Sequence, residues 1–445
     1  MVIVPPTPGD QRAAWALRMT RAKPPRVLLS EGSSLSARET ITALGLAGYT
    51  IDVCDPDPLC LGRCSWFVRH FFQCPALGTD PIAYLRFVLR RLHSGETDVL
   101  LPVHEQAFLF ARARPLFPAQ VGLAVADFAS FLQLQGKVSF ARLLAKLAIP
   151  HPPTQFIRSE AELVGRRTFP YFVKTDYGTA SIGVWRVGGL NDLAPVIGEL
   201  QARNLLDGKQ EVLLQEAAPG QLERVQAVFD SGRLVALHGY QQRGEGPRGG
   251  DLAKTSIFRP VIRNHVDRLG KHLRWHGALS LDYCWEEKSG QGWFIDANPR
   301  LVEPMNALWS GTNLAAVLIK VSLGEHLAPL PPGREGVRTH LALMALLEAA
   351  TQTRSRRGLL REARRLLWQL DEFANSREEL TPGKEDPLSL IPLLIVFARL
   401  LLDPGTAETI GARAVHSYSL TDAAVRIITN LDLSRWPPSG ALTTL

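Results

Sequence analysis

Short apolar runs alternate with amphipathic stretches through the first third of the chain. Arg26–Ser30 (RVLLS), Thr50–Asp55 (TIDVCD), Asp98–Val103 (DVLLPV) and Val121–Asp127 (VGLAVAD) read as strands. Between them, Ser36–Tyr49, Tyr84–Gly95 and Glu105–Phe117 carry helical spacing. Alternation of this kind predicts an α/β domain over residues 26–127, with a parallel sheet covered by helices on both faces. Residues 1–25, with prolines at positions 5, 6, 8, 24 and 25, read as a flexible basic leader.

After a helix that starts near Gly136 and ends in the Pro-rich turn Pro150–Thr154, the texture changes. Tyr171–Val187 and Glu211–Gly220 read as strands around a glycine-containing turn. Arg224–Arg243 is a hairpin with its turn at Asp230-Ser231-Gly232, and Ser280–Leu301 is a second with its turn at Ser289–Gly292. Hairpins separated by a helix over Asn264–Gly277 predict an α+β unit with antiparallel sheets, spanning residues 128–330. Residues 331–445 are rich in Leu and Arg and mostly helical in pattern.

A hydrophobic content of 46%, with 31 Pro and 36 Gly in 445 residues, excludes disorder as the main state and any collagen-like repeat. The net charge of +7 suits an anionic ligand or surface. Its basic residues are scattered without a nucleic-acid-binding module, so no nucleic-acid partner is expected. Four of the five cysteines, Cys54, Cys60, Cys64 and Cys74, lie close together but lack paired CxxC spacing, which points to thiols rather than zinc. The N-terminus lacks the basic-then-apolar order of a secretory signal, so a reducing cytoplasm is the expected compartment. Leu388–Leu402 is apolar but contains Pro392 and Arg399 and falls short of the ~20 residues a spanning helix needs. It reads as a buried helix. The basic helix Leu359–Leu370 upstream leaves a weak peripheral contact with an acidic membrane as the other reading. A homodimer face is a further role open to this tail.

The densest chemistry lies in FIDANPR (Phe294–Arg300). Strand alternation puts Asp296, Asn298 and Arg300 on one face, and Asp282, on the preceding strand, can share it. Carboxylate and amide oxygens suit hard Mg²⁺, while a guanidinium grips phosphoryl oxygens in a fork. Upstream, Lys174 ends an apolar strand just before GTASIG (Gly178, Thr179, Ala180, Ser181, Ile182, Gly183), whose backbone N–H groups are suited to a triphosphate. Lys137 precedes it by one helix. His104 and Glu105 follow the strand Asp98–Val103 at its C-terminal end, a position from which loops contact substrate.

Taken in order, Lys137, Lys174, GTASIG, LLQEAAPG (Leu213–Gly220), SLDY (Ser280–Tyr283) and FIDANPR resemble the ATP-grasp superfamily, in its carbamoyl-phosphate-synthase-like and carboxylate-amine ligase branches. The resemblance covers roughly Arg26–Leu323. It implies an α/β pre-domain followed by two α+β subdomains that clasp ATP. It further implies that Lys137 and Lys174 contact ATP, that the GTASIG loop covers the triphosphate, and that Gln215 and Glu216 form the adenine-side hinge. Asp282, Asp296 and Asn298 would hold Mg²⁺, or Mn²⁺ in its place, and Arg300 would contact an acyl phosphate. Asp296 stands where the family more often has Glu, which shortens the reach by one methylene and bears on the number of metals. Glu223 would meet the ribose only through a one-residue shift. Arg243, Arg248 and Lys254 fall in a segment that resembles the family's crossing toward the active site, where they would bind a carboxylate or phosphate. The activity implied is an ATP-dependent ligation of a small carboxylate to an amine, expected to be an amino acid, by way of an acyl phosphate. Other members phosphorylate or carboxylate, and a nucleotide-binding regulatory protein without catalysis is the remaining alternative. The first turn, with one glycine where the dinucleotide fingerprint needs three, excludes a Rossmann dehydrogenase.

Overall fold

The computed structural model describes residues 23–165, 169–178, 182–410 and 419–436. Nearly all of the expected leader, residues 1–22, lies outside the described residues. Strands β1 (Arg26–Leu29), β2 (Thr50–Asp55), β3 (Val68–Gln73) and β4 (Val99–Leu101) form a parallel sheet in the order β3-β2-β1-β4. Helices α1 (Leu35–Leu46), α2 (Pro81–His93) and α3 (Gln106–Ala113) accompany it. Ser34 caps α1, its hydroxyl accepting from Ala37 N at 3.0 Å, and Asp80 caps α2 through Ala83 N. Strand alternation divides the core. Leu28, Cys54 and Leu100 pack with Tyr84 and Leu85 on one side, and Leu29, Val53 and Leu101 pack with Ile41 and Leu44 on the other.

Two details of this sheet differ from expectation. Val121–Asp127 forms no strand, only an isolated bridge from Gly122 to Val99. The strand β3 was hidden because Arg69 and His70 interrupt its apolar pattern, as suits a half-exposed edge. In the turn from β1 to α1, the backbone N–H groups of Gly32, Ser33 and Ser34 donate to the carboxylates of Asp55 and Glu31 at 2.7–2.9 Å. Burial pushes Glu31 up to about 7. The chain's own acidic groups therefore take the donors that a dinucleotide phosphate would need.

Helices α4 (Phe128–Gln135) and α5 (Lys137–Lys146) lead into a four-stranded antiparallel sheet of β5 (Thr154–Ile157), β6 (Tyr171–Lys174), β7 (Val184–Val187) and β8 (Val212–Glu216), ordered β5-β8-β6-β7. One face, with Tyr171, Val173 and Leu214, packs on α6 (Glu160–Val164) and α7 (Leu193–Ala202). The opposite face carries Lys174 and Gln215, beside Leu213, which packs on Val138 and Ala141 of α5.

A seven-stranded sheet follows, built from β9 (Gln221–Asp230), β10 (Arg233–Glu245), β11 (Asp251–Ile257), β12 (Gly277–Glu286), β13 (Gln291–Asn298), β14 (Arg338–His340) and β15 (Arg377–Glu378). Its order is β13-β12-β9-β10-β11-β14-β15. The β9–β10 turn falls at Ser231-Gly232, both with positive φ, while the β12–β13 turn lies at 287–290, earlier than the Ser289–Gly292 expected. One face packs on α8 (Pro260–Leu273) through Phe229, Leu279 and Leu281.

The other face is graded along β12, β9 and β10. Ala278, Val228 and Ala236 are aligned partners that pack with Leu314 and Leu318 of α10 (Leu314–Ser322), which follows α9 (Met305–Trp309). Two residues along each strand the row is Ser280, Gln226 and His238, and two further on it is Asp282, Arg224 and Tyr240. The period of two thus carries this face from apolar core to charged floor over two steps.

The C-terminal region is mostly helical but not wholly so. Besides α11 (Ala342–Thr353), α12 (Arg356–Leu367), α13 (Leu390–Leu402) and α14 (Asp422–Thr429), it supplies β14 and β15 to the large sheet. Val425 and Ile428 of α14 return to the core of the first sheet. The expected buried helix over Leu388–Leu402 is α13, but only Leu400 is fully buried in it. No described helix is long and apolar enough to cross a membrane.

Candidate functional site

Lys174 ends β6, and its buried ammonium donates to Gln215 Oε1 at 2.7 Å and to the carbonyl of Ile295 at 2.9 Å. An ammonium has three donors, and the described residues take two of them. Burial holds this lysine down to about 8, with Asp296 working in the opposite direction. Lys137 opens α5, and its ammonium donates to Gly178 O at 3.1 Å and lies 3.8 Å from Asp296 Oδ1. The loop between β6 and β7 closes on Thr175, whose N donates to Gly183 O at 2.9 Å. Gly183 has φ +77, and a Cβ there would come 2.2 Å from Thr175 Oγ1, so glycine is required. Thr179, Ala180 and Ser181 lie outside the described residues.

Asp282 and Asp296 are direct cross-strand partners, and Asn298 pairs with Ser280 two residues on. The register shifts between Asp282–Asp296 and Tyr283–Phe294, leaving Ile295 as an extra residue. That bulge explains how Phe294 packs with Tyr283 in the core although Asp296, two residues later, faces the polar side. It also exposes the Ile295 carbonyl that Lys174 uses. Arg224, opposite Asp282 on β9, holds Asp282 Oδ1 at 3.3 Å and pairs with Asp251, which also accepts from Tyr240 OH at 2.9 Å. Burial, against the pull of Arg224, pushes Asp282 up to about 6.

Arg300 departs from the expected alternation. The strand β13 stops at Asn298, and the chain bends at Pro299, with Arg300 N donating to Asn298 O at 2.7 Å. Its guanidinium instead reaches the first sheet, where Nη2 lies 3.3 Å from Glu105 Oε1. Glu105 also accepts from Gln135 Nε2 at 2.8 Å, and His104 is buried beside it. Burial and then Arg300 hold His104 well below its ordinary range, so the imidazole is neutral. Arg300 Nε is buried and has no hydrogen-bond partner among the described residues, which leaves a donor for a ligand.

The remaining expected residues lie apart from this group. Glu216 ends β8, its N donating to Pro153 O at 3.0 Å. Glu223 is fully buried, accepting from Arg259 at 2.9 Å and from Tyr283 OH at 2.8 Å. Arg243 is exposed on β10, 3.3 Å from Thr255 Oγ1, and the Arg248 side chain lies outside the described residues. Lys254 is buried at 2.6 Å from both Glu303 and Glu379. Glu39, Glu303 and Glu379 each bring a carboxylate oxygen within 4.8 Å of the others, with the lysine ammonium among them. Glu303 holds φ +43, a strained conformation for a residue with a side chain. No local pattern in the sequence marks Arg224, Asp251, Glu303 and Glu379, since only the register and the long-range packing bring them here.

No family model matches the chain. The carbamoyl phosphate synthase large chain of Pyrococcus furiosus is 24% identical over 261 residues, which are 54% of this chain and 24% of that one. The chain therefore spans about a quarter of that curated relative's length. Among solved structures, the biotin carboxylase domain of Hydrogenobacter thermophilus 2-oxoglutarate carboxylase, in complex with MgADP, ADP and bicarbonate, aligns with TM-score 0.57 and 14% identity, covering 72% of this chain and 74% of that one. An L-amino acid ligase from Bacillus licheniformis aligns with TM-score 0.52 and 14% identity, covering 69% and 76%. The fold of this chain is the ATP-grasp fold.

Proposed function

We propose that the chain is an ATP- and Mg²⁺-dependent ligase that activates a small carboxylate as an acyl phosphate and joins it to an amine, with an amino acid as the acceptor class. The observation that carries this reading is the convergence of two lysines and two cross-strand carboxylates. Lys137 lies 3.8 Å from Asp296, Lys174 donates to the adjacent Ile295 carbonyl, and Asp282 faces Asp296. The donor set of two carboxylates and the Asn298 amide fits Mg²⁺ or Mn²⁺, both of which prefer oxygen ligands. When bound, such an ion neutralises phosphate charge and orients the transferring group.

In this reading the two lysines bind the triphosphate, and Gln215 orients Lys174 from below. The loop Gly178–Gly183 covers the phosphates and keeps water from a reactive acyl phosphate. Arg300, held by Glu105 across from the first sheet, presents its unsatisfied Nε to the oxygens of the acyl group and leaving phosphate. Residues 26–127 then supply one wall of the acceptor compartment, residues 128–330 the ATP clasp, and residues 331–445 its backing. Lys254 and Glu303 border that compartment beyond Tyr240, which stacks under the lysine at 5.1 Å.

The likeness to a bicarbonate-bound biotin carboxylase domain supports a second reading, in which bicarbonate is the activated acid. A panel of carboxylic acids, bicarbonate included, with MgATP and hydroxylamine as the trapping nucleophile separates the two. Carboxylate-dependent ADP with a hydroxamate product supports the ligase. ADP release with bicarbonate alone supports carboxylation, and no acid-dependent ADP overturns both.

A further inference from the structure

Nine of the eighteen exposed large apolar side chains among the described residues fall between Leu360 and Leu402. Exposed apolar residues scattered singly are ordinary on a protein surface; a concentration of this kind marks a contact face. On α13 the exposed positions are Ile391, Leu394, Ile395, Ala398, Arg399 and Leu402, at helical spacing, so they form one stripe along the helix that is apolar apart from Arg399. The opposite stripe, with Val396, Phe397 and Leu400, packs into the C-terminal core. The helix is thus largely apolar on two sides, and the described residues cover only one.

Its neighbour α12 explains what the uncovered side faces. The two helices pack on one another, and Arg356 of α12 donates to the carbonyl of Leu402 at 3.0 Å. Six arginines and one glutamate lie between Arg354 and Leu370. Arg354 and Arg365 have acidic partners. Arg357, Arg361 and Arg364 are exposed, repeat at helical spacing with Leu360, Leu367 and Trp368, and have no ion pair among the described residues. Arg364 lies 5.5 Å from the Trp368 ring, so an aromatic ring stands among the exposed arginines of α12. A second copy meeting this face would set like charges against each other. An acidic bilayer neutralises the arginines and accepts the Leu and Ile side chains.

We propose that α12 and α13 form a peripheral docking face for an anionic lipid membrane. The test is flotation of the full chain with phosphatidylcholine vesicles, with and without phosphatidylglycerol. Binding to the anionic vesicles only is expected, weakening in high salt as screening shortens. Substituting Gln for Arg357, Arg361 and Arg364 together should lower partitioning about a hundredfold, at roughly 1 kcal/mol for each basic side chain near the surface. Leu394→Glu with Ile395→Glu should abolish it, while circular dichroism and thermal melting stay as in the wild type because both side chains are exposed. Equal recovery with neutral vesicles or no flotation overturns the proposal. So does a wild-type dimer that the Leu394→Glu, Ile395→Glu variant converts to monomer, since the face would then belong to a second copy.

Discussion

Replacing Lys174 with methionine separates binding from stability at the centre of the proposed nucleotide site. The fall of this lysine from its ordinary 10.5 to about 8 corresponds to ~3 kcal/mol against the charged form in the folded chain. The penalty is present in full below about pH 8, where the lysine is protonated both folded and unfolded, and vanishes as pH rises toward 10.5. Methionine removes it. The same substitution strands Gln215 Oε1 and the Ile295 carbonyl, at about 1–3 kcal/mol each if neither finds water. The two effects oppose, and the variant should unfold at pH 7 within about 2 kcal/mol of the wild type. The difference between them should move in the wild type's favour by up to ~3 kcal/mol between pH 8 and pH 10.5. Nucleotide affinity should fall ten- to hundredfold, the equivalent of ~1.5–3 kcal/mol for one hydrogen bond to a charged group. Urea unfolding across this pH range, with calorimetric MgATP titration, reads both quantities. A variant destabilised by more than about 3 kcal/mol at pH 7 with unchanged nucleotide affinity would show that Lys174 is a structural residue and refute the reasoning.

Other substitutions have distinct signatures. Asp296→Asn should abolish ADP formation and the Mg²⁺ dependence of nucleotide binding while leaving the melting temperature within a few degrees, because its side chain is partly exposed. Arg224→Met should destabilise by about 3–5 kcal/mol in urea, since it leaves Asp251 and Asp282 without their cation in a buried setting. Gly183→Ala should weaken nucleotide binding and slow turnover, through a Cβ pressed against Thr175 at positive φ, and a fully active variant would remove the loop from the site.

The α/β alternation, the two hairpins and the FIDANPR string were legible because each rests on a local period or a turn. Asp282 and Asp296 could be assigned to one face by strand alternation, but their direct pairing depends on a turn two residues earlier than expected and on the bulge. Arg300 could not, since the extension of the strand past Pro299 assumed a period that the bend ends. The bulge at Ile295 left no pattern to read, yet it lets Phe294 and Asp296 face opposite sides of the sheet. The Glu105–Arg300 and Lys254–Glu379 pairs join residues 195 and 125 positions apart, contacts that only the tertiary fold brings about. Val121–Asp127 and β3 show the limits of composition: an apolar run paired through a single bridge only, while a run interrupted by Arg69 and His70 formed a strand.

Calorimetric titration of the wild type and of a Lys137→Met, Lys174→Met double variant with MgATP tests most directly whether a nucleotide is held between the four- and seven-stranded sheets. The site described here predicts a single Mg²⁺-dependent binding event per chain in the wild type, absent from the double variant, with both proteins folded by circular dichroism. Absence of binding in the wild type, or equal binding by the two proteins, would contradict it.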